Sequence, residues 1–298
     1  MRSRAGEFLD RTFPTWSLAP AAIIFIVLSV YPILNLLHMS VSTFRTVDGV
    51  DRATFDPLAN LRFFATDPVL KAAIVNTLIF VAVSVAIELL IGLALAIQVA
   101  RLRRGKGLIR TLMILPILVP PVAIGSMWKL ILNYDFGVLN QGLALVGLGP
   151  VNWLGDQTLA LVSVIIVDVW HWVPFIFLIL FAAVEGLPVD VMEAAKIDGA
   201  TDRQVTWHVM LPLLKPAISV AFIFRAILAF KAFDEVFLLT GGGPGTSSEL
   251  ISLHLYKIFF VQNNVGYGAM LSITMILMVV AFLLVARQAT ASGAGDRP

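Results

Sequence analysis

The residues of this chain best suited to chemistry are a few ionisable side chains inside long apolar stretches. Glu88, Asp168, His171 and Arg225 each lie well within such a stretch. A charged group in the bilayer interior costs about 2.5–3.5 kcal/mol on insertion scales, so each needs a partner or a watery cavity. Arg225 can reach a carboxylate at similar depth, on Glu88 or Asp168. Two interpretations stay open: an ion pair that ties helices together, or a direct contact with a transported solute.

A second charged group follows Arg225 along the chain. Lys231, Asp234 and Glu235 are spaced i, i+3 and i+4. On a continuous helix this spacing predicts that they pair with one another. A place on a solute path is the alternative interpretation.

Tryptophans add flat apolar surfaces with one N–H donor, on which a sugar ring can stack. Trp128, Trp170 and Trp172 are the candidates. Trp170 lies mid-span between Asp168 and His171, which favours a sugar contact. Tryptophan is also a common membrane-interface anchor, and that interpretation is favoured for Trp128.

Neither of two glycine-rich stretches fits a nucleotide site. GGGPG at 241–245 lacks a following Lys-Ser or Lys-Thr pair, and RRGKG at 103–107 lacks both the earlier glycine and the hydroxyl residue of a phosphate loop. The segment 240–248 is either an outward loop that a binding protein contacts, a cap over the solute path, or a plain flexible turn. The absence of cysteine excludes disulfides, thiolate metal sites and a cysteine nucleophile.

Composition places these residues in a membrane. Hydrophobic residues are 59% of the 298 and charged ones 13%, against about 45–50% and about 25% in soluble domains. At about 20 residues a span, there is room for six helices and no sizeable soluble domain. We predict one all-α membrane domain. The net charge of +2 gives no case for nucleic acid.

Six apolar windows define the predicted domain, 17–287, between an N-terminal segment, 1–16, and a disordered tail, 288–298. The predicted spans are 17–40, 72–100, 108–132, 158–184, 213–239 and 267–287. The basic N-terminus resembles a signal peptide, but the first apolar run is too long and no cleavage site follows it. We therefore predict a retained first span.

Loop charges set the orientation. The loop RLRRGKGLIR, 101–110, has five basic residues and no acid, whereas 133–157 has two acids and no Lys or Arg. By the positive-inside rule, both termini, the 101–110 loop and the 185–212 loop are cytoplasmic. The first outward loop, 41–71, is a small cap.

Three prolines interrupt the third predicted span. Pro116, Pro120 and Pro121 each remove a backbone donor, which predicts a kink. The kink either serves packing or shapes a solute path or gate.

The predicted cytoplasmic stretch EAAKIDGATDRQVTWHVMLPLLKP, 193–216, carries strong local signals. Residues 193–196 favour helix, and Gly199 can adopt the positive φ that ends it. Thr201 or Asp202 can cap a second short helix, which runs to about Val209. The stretch therefore predicts two short helices joined by an elbow.

Prolines are expected to close this stretch. Pro212 and Pro216 would stop the second short helix and begin span five. The small side chains of Ala194 and Ala195 would let a partner's surface approach closely.

The spacing in this stretch is specific. EAA, three residues, Gly199, nine residues and then Val209-Met210-Leu211-Pro212 resembles the EAA loop of permease subunits of binding-protein-dependent ABC importers, with valine for isoleucine as the only departure. In that family the loop docks in a groove of the ATPase subunit and transmits its opening and closing. The coupling residues that the resemblance implies are Glu193, Ala194, Ala195, Asp198, Gly199, Ala200, Leu211 and Pro212. The alternative is an amphipathic hairpin that touches only lipid headgroups.

Shorter motifs narrow the resemblance to the carbohydrate-uptake class, the maltose and glycerol-phosphate type. These are NTLIF (76–80), LPILVPPVAIGSMWKLIL (115–132), DFGVLN (135–140) and FDEVFLLTGGGP (233–244). TGGGP resembles the first of two non-identical permeases. The chain departs from the maltose prototype, which has extra N-terminal spans and a large periplasmic insertion.

The resemblance implies a set of partners: a homologous second permease, two ATPase subunits that bind the ATP and Mg, a periplasmic solute-binding protein, a carbohydrate-like solute and membrane lipid. It also implies a multi-pass protein of the bacterial inner membrane with no cofactor, metal or enzymatic activity of its own. The candidate substrate-path residues are Asp168, Trp170, His171, Arg225, Lys231, Asp234 and Glu235.

Two rival functions deserve weighing. An ion-coupled secondary transporter would use Glu88, Asp168 and Arg225 as a proton or sodium relay. A membrane hydrolase or scaffold is the second rival, but a hydrolase needs a convergent nucleophile and base, and Asp168 with His171 lacks an evident partner. The EAA loop argues against both. Neutral disaccharide, polyol, sugar acid and phosphorylated or sulfonated sugar all fit as solute.

Overall fold

The computed structural model describes residues 17–47 and 50–292. The predicted N-terminal segment, 1–16, and the end of the predicted disordered tail, 293–298, lie outside the described residues. The chain is 77% helical. In the described part, five helices are long and apolar enough to cross a membrane, or six if one bent pair counts as a single span.

In chain order the elements are α1 (Ser17–Ser40), β1 (Ser42–Val47), β2 (Val50–Phe55), α2 (Pro57–Thr66), α3 (Pro68–Ala100), α4 (Lys106–Leu118), α5 (Pro121–Ile131), α6 (Val138–Leu145), α7 (Leu159–Glu185), α8 (Val189–Ile197), α9 (Asp202–Phe230), α10 (Asp234–Leu239), α11 (Ile251–Val261) and α12 (Val265–Ser292). They form two compact units. The first comprises the chain up to Thr66 and Leu255–Ile276, and the second comprises Asp67–His254 and the chain from Leu277 onward.

The first unit contains the only strands among the described residues, so the all-α expectation is wrong for the segment 41–71, the predicted first outward loop. Strands β1 and β2 pair antiparallel, with Ser42 opposite Phe55. The strand sequences STFRTV and VDRATF are rich in threonine and valine and flank an Asp-Gly pair, which is a strong hairpin signal. The amide of Asn60 donates to the carbonyls of Ser40 (2.8 Å) and Ser42 (3.0 Å) and so fixes α2 beside the hairpin.

The core of the second unit lies where α3, α7 and α9 meet. Its buried residues include Ala96 of α3, Phe177 and Leu180 of α7, and Leu214 of α9. At Gly92 the two long helices approach so closely that an added Cβ would lie 2.6 Å from Ile176 Cγ2. A glycine is therefore required for this helix packing.

The third predicted span is broken, as its prolines predict. Helices α4 and α5 meet at 92°. Val119 is extended, with ψ 126°, because the helical region is disfavoured for a residue before proline. Pro120 has ψ 139°, and neither it nor Pro121 can donate to the preceding turn.

The fifth predicted span, 213–239, differs from expectation at both ends. Helix α9 runs without a stop from Asp202 to Phe230. Its π turn, Val205–Met210, closes with the Leu211 N–H on the Thr206 carbonyl, directly before Pro212. The prolines therefore do not end the surface helix. The N–H that Pro212 lacks falls where the backbone hydrogen bonds change from the π to the α pattern.

Helix α9 then ends at Phe230, and a separate helix, α10, begins at Asp234. Asp234 and Glu235 occupy its first turn, where negative charge is favourable. One apolar window in the sequence thus contains two helices.

Candidate solute path and coupling loop

Arg225 of α9 joins three helices of the second unit. Its Nη2 donates to Oε1 of Glu88 on α3 at 2.8 Å, and its Nε lies 2.6 Å from Glu88 Oε2. The same guanidinium forms an ion pair with Asp168 on α7. Arg225 and Asp168 are each 1% exposed and Glu88 is fully buried. The prediction that Arg225 reaches a carboxylate is confirmed, and it reaches both candidates.

The arrangement suits a structural tie. Breaking a buried ion pair by removing one partner costs about 3–5 kcal/mol, because a charge is left buried and unpaired. Trp172 supports the guanidinium from a third side, with its ring centroid 5.0 Å from Arg225 Cζ. That contact is a cation–π interaction.

His171 and Glu235 form a second buried pair. The distance from His171 Nδ1 to Glu235 Oε1 is 2.8 Å, and it links α7 to α10. The expected pairing of Lys231 with the two acids is wrong, because α9 ends at Phe230 and no helix carries the i, i+3, i+4 spacing. In the described part of the chain, no salt bridge joins Lys231 to either acid.

The predicted path residues therefore separate into two sets. Four of them lie together in the interior: Asp168, His171, Arg225 and Glu235. Trp172 contacts two members of this group, because its ring lies 4.9 Å from that of His171 and also packs against the Arg225 guanidinium. Lys231 is exposed and Asp234 half-buried. The sequence had singled out Trp172 only as one of three tryptophans.

Trp170 lies outside the buried group. It is 37% exposed and packs edge-on against Trp128, with centroids 5.6 Å apart and rings at 68°. Trp128 Nε1 is buried and, among the described residues, has no hydrogen-bond partner. The pair presents an aromatic surface.

The loop 240–248 is held by specific hydrogen bonds. The Ser248 hydroxyl lies 2.7 Å from both Thr240 Oγ1 and the Gly243 carbonyl. The Asn76 amide of α3 donates to the carbonyls of Thr246 (2.8 Å) and Glu249 (3.2 Å). These bonds oppose the interpretation of a plain flexible turn. The quoted NTLIF motif contained Asn76, but its spacing did not indicate this role.

A third polar cluster, at His254, was not predicted. His254 Nε2 lies 2.7 Å from Asp67 Oδ2, and its Nδ1 lies 3.7 Å from Glu249 Oε1. Burial alone would lower the pKa of His254, but the hydrogen bonds and charges of Glu249 and Asp67 outweigh it, so the pKa is raised above its ordinary value. Asp67 also caps α3 by accepting from the N–H groups of Val69 and Leu70.

The stretch 193–212 contains the elbow that its residues predict. Helix α8 ends at Ile197, and Gly199 has φ +86°. The Ala200 N–H donates to the Ala195 carbonyl at 3.0 Å, a bond that closes the helix end. Thr201 then caps α9 in a capping box with Gln204.

The outer surface of this elbow is open. Glu193, Ala194, Asp198 and Gly199 are exposed, Ala195 and Ala200 are half-buried, and Leu211 and Pro212 lie half-buried further along α9. Ile197 is 86% exposed.

Comparison with known proteins identifies the relatives of this chain. The sequence profile of the family described as "Binding-protein-dependent transport system inner membrane component" matches residues 88–290. The trehalose/maltose transport system permease protein MalF of Thermococcus litoralis is 38% identical over 209 residues, which are 70% of this chain and 70% of that protein. The trehalose transport system permease protein SugA of Mycobacterium tuberculosis is 32% identical over 308 residues, covering 99% of this chain and 94% of that protein.

Among solved structures, a bacterial ABC transporter involved in the import of the acidic polysaccharide alginate is similar in fold. Its TM-score is 0.82, and the match covers 97% of this chain and 99% of that one at 20% identity. At that identity the likeness concerns the fold.

Proposed function

Because the chain belongs to the family of binding-protein-dependent transport system inner membrane components, we propose that it forms, with a homologous second permease, the alternating-access path of an ABC importer. It is a transport permease for sugar-type solutes, as its relatives' names indicate. In the proposal a periplasmic binding protein delivers the solute, and two ATPase subunits bind ATP and Mg. The chain lies in the inner membrane with six spans and both termini cytoplasmic.

The elbow at Gly199 carries the coupling part of this proposal. The stretch 193–212 presents a short helix, a sharp turn and a second helix that continues directly into α9. A push on the elbow would therefore move α9, and with it Arg225 and the helices that Arg225 holds. We assign the contact with the ATPase to the exposed surface around Glu193.

The pair formed by Trp128 and Trp170 supports the part of the proposal that concerns solute binding. Trp170 is the candidate that combines a mid-span position with an accessible ring, and a sugar ring can stack on it. Arg225 is buried between two carboxylates, so we assign it to holding helices rather than to binding solute. Because Arg225 pairs with both carboxylates, the arrangement also argues against an ion relay through Glu88, Asp168 and Arg225.

The coupling proposal is tested with Gly199→Asp and Glu193→Lys. A Cβ added at Gly199 meets no atom within 4 Å, so within the chain Gly199→Asp adds strain at φ +86° and one negative charge without a clash at Cβ. Gly105→Asp is a matched control, since Gly105 has φ +84° and equally open surroundings. We expect Gly199→Asp and Glu193→Lys to insert normally but to lose ATPase co-purification or solute-stimulated ATP hydrolysis.

The control separates strain from coupling. Gly105→Asp should retain the ATPase and its stimulation, because Gly105 lies outside the proposed coupling stretch. If all three variants behave like the unchanged chain, the stretch 193–212 is not the coupling element. If Gly105→Asp fails equally, backbone strain alone explains the loss.

A further inference from the structure

We propose that the junction of α3 and α9 at the predicted cytoplasmic surface is a binding site for an anionic glycerophospholipid. The site is a groove of about 250 Å³. It requires only that the chain spans a membrane and does not depend on the solute, while Thr206, Trp207 and Leu211 of its lining also belong to the 193–212 stretch.

The groove is amphipathic along its length. Its floor is formed by the last turns of α3, with Leu90, Leu93 and Ile97 among its lining residues. Leu90 is 69% exposed, so this floor opens toward the membrane. Arg101 and Thr206 lie at the other end. An acyl chain along the leucines would place its phosphate at the guanidinium.

Arg101 can form hydrogen bonds beyond the one it makes to Thr206. Its Nη2 donates to Thr206 Oγ1 at 2.6 Å, which fixes the guanidinium at the mouth of the groove. A guanidinium has five N–H donors, and Arg101 is exposed. Phosphate oxygens match this fork geometry.

Trp207 stands between two basic side chains. It is 61% exposed and lines both the groove with Arg101 and a neighbouring depression with Arg203 and His208. Trp is enriched at the membrane–water interface, and basic pockets at the cytoplasmic surface attract anionic headgroups. The nearest acid along α9, Asp202, is paired with Lys196 at 3.0 Å and also feels the charge of Arg101.

Charge complementarity therefore favours an anionic lipid over a zwitterionic one. Arg103 and Arg104 follow Arg101 directly in the chain and add to the positive field. A helix of a partner subunit seated on the leucines is the alternative occupant, and the test below distinguishes it from a lipid.

The test uses the assembled importer in lipid nanodiscs, with a phosphatidylglycerol that carries a photoreactive group on its acyl chain. Crosslinks should map to peptides that contain residues 90–98 and 206–211. The phosphatidylcholine analogue should label these peptides much less. Native mass spectrometry should show retained phosphatidylglycerol that Arg101→Gln lowers by about fivefold.

Two variants separate charge from structure. Arg110→Gln removes the same charge from the same predicted surface but lies outside the groove, so retention should stay unchanged. Thr206→Val removes the hydrogen bond that fixes the Arg101 guanidinium but keeps the charge, so retention should fall less than in Arg101→Gln. The proposal is overturned if no crosslink forms in the assembled complex, as when a partner subunit fills the groove. Equal labelling by both lipids, or equal losses in Arg101→Gln and Arg110→Gln, would also overturn it.

Discussion

Arg225 holds a full positive charge in the interior of the helical unit, and both of its acidic partners are equally buried. In a low-dielectric interior such a group is favourable only while its pairs are intact. Its cation–π contact with Trp172 adds a further restraint. At the scale of single residues, the buried charges therefore hold helices together. The accessible Trp170 remains the candidate for contact with solute.

Arg225→Ala should reduce the stability of the complex by about 3–5 kcal/mol, because two carboxylates lose their counter-charge. Thermal unfolding and subunit co-purification measure the effect. Arg110→Ala, at an exposed arginine on α4, is the matched control and should change neither. A complex that assembles with unchanged stability but does not transport would instead make Arg225 a solute contact.

Trp170→Ala should leave assembly intact and lower solute uptake, because it removes a partly exposed ring from the proposed path. Loss of a stacking contact raises the solute concentration for half-maximal uptake, and Trp170→Phe should restore part of it. Transport assays in vesicles across a range of solute concentrations provide the measurement. Unchanged uptake in Trp170→Ala would remove this residue from the path.

Helix α3 organises the second unit at the scale of elements. Its last third approaches α7 at Gly92, and its N-terminal end is capped by Asp67, which also meets His254. Asn76 on the same helix holds the loop 240–248 through two carbonyls. Three separate contacts along one helix thus determine where the neighbouring segments lie.

Gly92→Ala should destabilise the fold by about 1–3 kcal/mol, because the new methyl group would overlap Ile176. In an Ile176→Ala background the same change should cost less, since the nearest atom, Ile176 Cγ2, is gone, and a double-mutant cycle isolates this coupling. Gly142→Ala is the control, at a glycine with no atom within 4 Å of the added Cβ. Additive losses at Gly92 and Ile176 would contradict the predicted overlap.

The His254 cluster predicts a pH dependence of stability. The pKa of His254 is raised in the folded state, so its contribution is fully present below the unfolded value of about 6.5 and is lost as pH rises through the folded value. The unfolding temperature should therefore fall above pH 6.5, and His254→Gln should flatten this part of the profile.

The exposed His208 supplies the control for that experiment. His208→Gln removes a histidine from α9 and should leave the pH profile of unfolding unchanged. Thermal scans of the purified complex between pH 6 and pH 9 make the comparison. A His254→Gln profile that matches the unchanged chain would show that the cluster does not titrate in this range.

At the scale of the whole molecule, the outward surfaces of the long helices are apolar, as a bilayer requires. Leu90, Ile166 and Phe224 are all exposed, on three different helices. Every ionisable group of the interior described above meets an opposite partner. In the proposed function the energy source therefore lies in the ATPase subunits rather than in an ion gradient.

Solute uptake into vesicles that contain the assembled importer should require ATP and the partner chains. It should persist when proton and sodium gradients are collapsed with ionophores. Uptake that follows a gradient and ignores ATP would contradict the importer mechanism and support the ion-coupled alternative.

What the sequence determined by itself is the part of the structure that depends on local backbone chemistry. Gly199 and Thr201 define the elbow because positive φ and capping are properties of a few adjacent residues. The prolines after residue 115 break a helix for the same local reason, and the long apolar windows require a membrane whatever their packing.

Only the tertiary structure decided which distant groups meet. Glu88 and Asp168 both contact Arg225, and Glu235 contacts His171. These contacts depend on how the helices are rotated and how far apart they lie, which is set by packing such as that at Gly92. The Asp67–His254 contact, 187 residues apart in the chain, leaves no periodic signal in sequence. Where α9 ends was also beyond the sequence, since hydropathy measures how apolar a segment is and does not register a change in backbone direction.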